Sequence, residues 1–377
     1  MSAAWVVLGA CLVVVGLVDV FLTVLHYESP GLFAVRAYRL IWDTAKFVTE
    51  PLPSGVRGVA RSMVAPALVT LNLAGWLGIQ ILGFCLVYYP AVTAHRFNVG
   101  RAGHSFGTAL YFSAGSLTSL SFSDVQPKSL AYHAVAAVET LVGLSILTLA
   151  ISYVLNLYRV LQNQGVLSSQ LYHQSRGSNQ PYALLEPHFV GGEARGIGTM
   201  VRELHRNLTE HHEGMRRYPV VWYFHTRRPY RSLPYLFWFT GAAAGALRWG
   251  LPRGHPETAD PWLSGLIAGY EDVLDQVARS FLPRPLPPPE PPASLAEFGQ
   301  ALDNEVDDDL LRRFLETERA MHEMANAEPT TDVAARYERY CQWAAFAGRG
   351  RSFVQMASRD LGLDPEALFE EPIQPRF

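Results

Sequence analysis

Three long apolar runs dominate the first part of the chain. Ala3 to Leu25 carries a single charge, Asp19. Ala65 to Tyr89 is interrupted only by Thr70, Asn72 and Gln80, with Trp76 in mid-run and Tyr88-Tyr89 marking an interface at its far end. Ser129 to Val160 contains Glu139 and Gly143 and closes on Tyr158-Arg159. A helix over Ala3–Leu25 covers about 34 Å, enough for a hydrocarbon core of roughly 30 Å, so each run predicts a membrane-spanning helix. The third exceeds the ~20 residues a span needs, which predicts tilt or continuation past the membrane. No basic residue precedes the first run, which argues against a cleaved signal peptide and against reading Leu8-Gly-Ala-Cys11 as a lipoprotein box.

The segments between and after these runs are more polar. His26 to Met63 is a linker in which Phe33, Ala37, Leu40, Ile41 and Phe47 recur at helical spacing, predicting an interfacial amphipathic helix broken at Pro51-Leu-Pro-Ser-Gly55. Pro90 to His104 is a short polar turret. Beyond residue 160, helices are predicted near Glu193–Arg217, Pro261–Leu282, Asp307–Ala327 and Thr331–Leu361, the last two as an antiparallel pair. Leu233 to Leu251 is very apolar, but its uninterrupted core of about 15 residues favours a buried helix over a fourth span. Pro283 to Pro292 reads as a semi-rigid extended spacer.

The expected fold class is an all-α membrane protein: a helix–loop–helix module plus a helical cytoplasmic domain. Its expected divisions are an N-terminal transmembrane helix (1–27), a linker (28–64), the helix–loop–helix module (65–160), a helical cytoplasmic domain (161–282), the proline-rich spacer (283–293) and a C-terminal helical region (294–377). Arg36, Arg39, Lys46, Arg57 and Arg61 between the first two spans, and Arg159 after the third, outweigh Arg96 and Arg101 in the turret. The positive-inside rule then puts the linker and the C-terminal part in the cytoplasm and the N-terminus outside an inner (plasma) membrane.

Composition narrows the chemistry. Charged residues are 17 %, below the roughly 25 % of soluble domains, and the net charge of −3 speaks against a nucleic-acid partner. The three cysteines, Cys11, Cys85 and Cys341, lie far apart and suggest neither disulfides nor zinc. His205, His211 and His212, with His225 beyond, lack metal-ligand spacing and read as a solvated helix face. Gly191 to Gly198 is glycine-rich but follows no strand, so it is not a nucleotide fingerprint. No nucleophile–base arrangement stands out; no enzyme, cofactor or metal is expected.

One stretch remains, Ala109 to Pro127, between the second and third runs. It begins as an aromatic-rich helical segment and ends in hydroxyls, an acid and a proline. It resembles the pore helix, filter and outer mouth of the potassium-channel superfamily, whose pattern is an aromatic-rich helix, Thr-x-Gly-(Tyr/Phe)-Gly-Asp, then a proline. Thr118, Ser119, Leu120, Ser121, Phe122, Ser123, Asp124 and Pro127 fall on that frame, with serine at both filter glycines. The resemblance covers roughly residues 65 to 160.

The resemblance implies four chains around an axis, a homotetramer in the lipid bilayer passing monovalent cations (K⁺ or Na⁺). The third span would line the pore, the second would face lipid and the first would be peripheral. It also assigns residues 118–124 to the selectivity filter. Carbonyl-lined filters need backbone angles glycine reaches cheaply. Serines forced there in four chains would cost on the order of 8–16 kcal/mol, so a wider, hydroxyl-lined, less selective pore is expected, or none at all. Asp124 either rings the mouth with negative charge or caps the loop. Gly143 is either a gating hinge or a close-packing residue. Glu139, one turn earlier, is expected behind the filter, bonded to a hydroxyl of the pore helix. Asp19 and His26 share a face, as an anchor or a proton-sensitive pair. The rival reading is a non-conducting sensor or scaffold that keeps the frame; a transporter is disfavoured because no inverted repeat is visible.

Overall fold

A computed structural model describes residues 2–26, 34–101, 103–120, 124–178, 180–226, 228–304, 307–328 and 330–365. Among them the regular structure is helical apart from two short antiparallel strand pairs, and three helices are long and apolar enough to cross a membrane. It is an all-α membrane protein. The chain divides into two compact units: Met1–Arg159 with Arg216–Phe224, and Val160–Met215 with His225–Phe377.

The first unit opens with α1 (Ser2–Val24), α2 (Ala34–Thr49) and α3 (Ser54–Thr93). α1 lies along α3 with almost no side chain between the backbones. A Cβ on Gly9 would sit 2.5 Å from the carbonyl oxygen of Gly83, and one on Gly83 would sit 2.7 Å from Val13. Small residues let membrane helices approach this closely, and dispersion then holds them. Polar contacts fix the register: Trp76 Nε1 donates to Asp19 at 3.0 Å, and Gln80 Nε2 to the carbonyl of Val13 at 3.3 Å. The intramembrane acid thus has a partner on α3, a contact outside both readings of Asp19. The opposite face of α1, with Val7, Leu8, Val14 and Phe21, is exposed and suits lipid. α1 therefore covers part of the second span that the sequence had facing lipid.

The linker folds more tightly than its pattern suggested. α2 buries Tyr38 and Trp42 and exposes Leu40, Phe47 and Val48, while Phe33 lies outside the described residues. α3 begins at Ser54, so Arg57 and Arg61 belong to its first turns rather than to a loop. Arg61 folds back on the corner, donating to Thr49 Oγ1 at 3.1 Å and to Glu50 at 2.9 Å. At 40 residues α3 is about 60 Å long, twice a hydrocarbon core. Segment Arg216–Phe224 completes this unit: Tyr223 lies against Tyr38 and Trp42, and Tyr218 meets Tyr153 edge-on at 5.5 Å.

The unit continues through β1 (Phe97–Asn98), α4 (Phe106–Leu117), β2 (Gln126–Pro127) and α5 (Leu130–Gln174). α5 runs unbroken for 45 residues, well past the predicted end of its span.

The second unit adds a hairpin, β3 (Phe189–Val190) and β4 (Glu193–Ala194), then α6 (Ile197–Arg217), α7 (Leu233–Gly245), α8 (Pro261–Phe281), α9 (Leu295–Ala301), α10 (Asp309–Met324) and α11 (Val333–Leu361). Gly191 and Gly192 both have positive φ and form the two-residue turn of the hairpin, which accounts for that glycine-rich stretch. α7 is the very apolar run, and it is buried. Phe237 meets Phe353 at 4.9 Å, and Tyr270 of α8 donates to the carbonyl of Phe237 at 3.1 Å. α7 continues as a π-helical turn, Ala246–Gly250. α10 and α11 pair antiparallel, with Arg336 on buried Glu318 (2.7 Å) and Arg351 on Asp309 (2.6 Å). The proline-rich segment runs against α11: the backbone of Ala293 bonds Tyr340 and Tyr337, both at 3.1 Å. It does not stand between separate bodies.

His211 departs from the expected solvated face. It is buried on α6 in line with Leu204, Leu208 and Met215. Burial first, and the neighbouring His212 second, push its pKa from 6.5 down to about 4. The unfolded chain therefore takes up this proton first as pH falls.

Two outcomes follow from the packing. Gly9→Val inserts atoms against a backbone carbonyl and should destabilise the α1–α3 pair by about 1–3 kcal/mol, read as a lower unfolding midpoint in detergent. Stability should also decline as pH drops from about 6.5 toward 4, by up to about 3 kcal/mol from His211. His211→Leu should flatten that decline in the same unfolding assay.

Candidate ion-conduction site

The site is built on α4, a 12-residue helix too short to span a membrane. Ser105 caps its start by accepting from the backbone N–H of Thr108 at 3.3 Å, and Thr108 Oγ1 donates to the carbonyl of Gly103 at 2.7 Å. Its end is a Schellman-type turn: the N–H of Leu120 reaches the carbonyl of Gly115 at 2.9 Å, with Ser119 left-handed at φ 59°. Glycine usually fills that position; serine there costs about 1–2 kcal/mol.

An aromatic cluster supports α4 from one side. Tyr88 on α3, Phe97 on β1 and Phe112 on α4 meet edge-to-face with centroids 5.0–5.9 Å apart. Phe84, Cys85, Ala109 and Val125 fill the remaining space. Tyr88 is fully buried, and only Tyr89 keeps partial exposure, packed edge-on to Trp5 and Phe106. The aromatic pair read as an interface marker is thus split between core and periphery.

α5 closes the other side through three residues at helical spacing. Glu139, fully buried, accepts from Tyr88 Oη at 2.8 Å; the Ser113 hydroxyl is shared between Glu139 Oε1 (2.6 Å) and the carbonyl of Ile81 (2.9 Å). One carboxylate thereby joins α3, α4 and α5. Thr140 Oγ1 donates to the carbonyl of Ser116 at 2.9 Å. Gly143 leaves room for the end of α4: a Cβ there would lie 2.0 Å from the carbonyl oxygen of Leu117.

Past the helix, Thr118, Ser119 and Leu120 are exposed, and Thr118 Oγ1 turns back to the carbonyl of Ala114 at 2.6 Å. Ser121, Phe122 and Ser123 lie outside the described residues. Asp124 is exposed and accepts a long bond from Tyr111 of α4 at 3.4 Å. The chain after it is clamped to the turret: Asn98 pairs with Gln126 and Phe97 with Pro127, and Lys128 Nζ reaches the carbonyl of His95 at 3.0 Å. The described residues on both sides of 121–123 are therefore anchored.

The structure brings Glu139 and Gly143 together against α4, and sets Asp124 beside Tyr111 of the same helix. The hydroxyl bond expected for Glu139 is made by Ser113 of α4; sequence reasoning missed Tyr88, Thr140 and Tyr111 as partners. Ser113 and Thr140 are hydroxyls inside apolar stretches, where each polar group must find a partner, and that was the available signal.

Residues 76–160 match a family model described as "Ion channel". The match begins at Trp76 in α3, takes in α4 and the loop, and ends in α5 at Val160. An uncharacterized membrane protein of Bacillus subtilis (strain 168), YdjJ, is 19 % identical over 300 residues, covering 78 % of this chain and 84 % of that protein. No solved structure matches the chain. The protein is thus an all-α membrane protein in which residues 76–160 are similar to ion-channel domains.

Ser113→Ala should leave Glu139 with one fewer partner and lower stability by about 1–3 kcal/mol, whereas Ser113→Thr should retain most of it. Gly143→Val should be worse than either, because the clash is with backbone. Unfolding midpoints of the three variants in one detergent give the order.

Proposed function

We propose that the chain assembles around a central axis, as a tetramer, into a membrane pore for monovalent cations. The observation that carries this reading is the mounting of α4: a helix too short to span, held at its base by Glu139, Thr140 and Gly143 and at its mouth by the turret pairing. Non-helical backbone at membrane depth must be buried in protein or line water, and a single chain with one such loop encloses nothing. Several copies satisfy the requirement.

Two further features support assembly and cation preference. α5 exposes Leu141, Leu144, Ile151, Leu155 and Tyr158 along one face, a surface that neighbouring copies and the axis would use. Asp124 and the carbonyl end of α4 supply negative charge on the loop side, which favours cations. Serine at positions 121 and 123 disfavours the glycine-dependent carbonyl ladder, so the pore is proposed to be wider and weakly selective. Gly143 keeps a second proposed role, because bending of α5 there would move it against the foot of α4. The proposed orientation leaves the second unit in the cytoplasm, where it would act on the pore.

The test is ion flux through protein in liposomes, comparing K⁺, Na⁺ and a large organic cation. Asp124→Asn should reduce flux several-fold without changing the oligomer. Strong K⁺ selectivity would sink the widened-filter argument. Absence of flux from a folded tetramer would favour a sensor or scaffold.

A further inference from the structure

The second unit contains a cleft of about 200 Å³ beside the π-helical turn, and its charge is unbalanced. Arg248 of that turn, Arg253 of the following loop and Arg339 of α11 all line it, facing one acid, the exposed Glu338. Arg248 Nη1 donates to the carbonyl of Thr258. Arg339 Nη2 donates to the carbonyls of Trp249 and Leu251, which fixes its guanidinium across the floor. Its other terminal nitrogen, Nη1, is buried with no hydrogen-bond partner among the described residues. The nearest buried acid, Glu318, is already engaged by two nitrogens of Arg336, at 3.2 Å and 2.7 Å.

We infer that this cleft binds a phosphate-type oxyanion, with Arg339 Nη1, Arg253 and Arg248 as its donors. A buried guanidinium N–H without an acceptor is a desolvation penalty of about 1–3 kcal/mol that an oxyanion removes. Guanidinium forks match phosphate oxygens in geometry as well as charge. Burial and the neighbouring Arg336 and Arg253 depress the Arg339 pKa, against the opposing pull of Glu318; an anion in the cleft relieves that repulsion. π-helical turns are rare and frequently fall at functional sites, and this one places Arg248 and Trp249 at the cleft. The chemistry recognised is the phosphoryl group itself, which both soluble phosphates and phospholipid headgroups carry.

The experiment uses the full chain in nanodiscs of phosphatidylcholine alone or with phosphatidic acid, each with and without pyrophosphate at matched ionic strength. A rise of the unfolding midpoint with pyrophosphate in phosphatidylcholine, at least tenfold weaker in apparent affinity for Arg253→Ala, establishes a soluble ligand. A rise with phosphatidic acid only, lost in the same variant, establishes the headgroup. Arg253 is exposed, so its removal spares the fold; Arg339→Lys provides the second variant. No rise in either arm, or a rise unchanged in both variants, overturns the proposal. Binding is read without ion flux, so this result and the pore reading stand or fall separately.

Discussion

The helix–loop–helix segment of α3, α4 and α5 depends on one buried carboxylate. Glu139 sits within an apolar helix, where an unpartnered acid would be strongly unfavourable. Its two oxygens are met by hydroxyls from two other helices, Tyr88 of α3 and Ser113 of α4. That arrangement fixes the depth and tilt of α4, and with it the position from which residues 118–124 leave the helix. Thr140 and Gly143, on the next turn of α5, then set how closely the helix end approaches. None of these contacts works alone, because a carboxylate brings three helices together only if the backbones can come near enough.

Near approach is the second constraint, and glycine supplies it twice in the first unit. Gly9 and Gly83 bring α1 onto α3, and Gly143 brings α5 onto α4. Water-driven burial does not operate between helices in lipid, so packing area and a few interhelical hydrogen bonds carry the association. Asp19–Trp76 and Glu139–Tyr88 are such bonds at different levels of α3. Each joins a carboxylate on a neighbouring helix to an aromatic donor on α3.

The spans, the short helix α4 and the buried character of α7 were legible in the sequence because each follows from run length and periodicity. Glu139 and Gly143 stood out as well, being a charge and a glycine inside an apolar run. The hydroxyl bond from α4 to Glu139 was expected in kind; what escaped was the rest of the pairing. Tyr88 looks identical to Tyr89 in sequence, yet one is sealed in the core and the other packs at the periphery. Ser113 and Thr140 carry no periodic signal, since a single hydroxyl does not alter hydropathy. The proline-rich segment read as a spacer because composition reports stiffness but not what the segment lies against; Tyr337 and Tyr340 decide that from almost 50 residues away. His211 was misjudged because α6 places histidines on more than one face.

The short segment Arg216–Phe224 has a consequence for how the protein is divided. It is drawn from the middle of the later sequence, yet Tyr218 and Tyr223 complete the aromatic packing around Tyr38, Trp42 and Tyr153. A cut after residue 160 therefore does not excise an intact membrane module; it removes part of that module's interior. Chimaeras that exchange everything beyond the third span would transplant this insert too, and their splice points would need to respect three chain crossings rather than one.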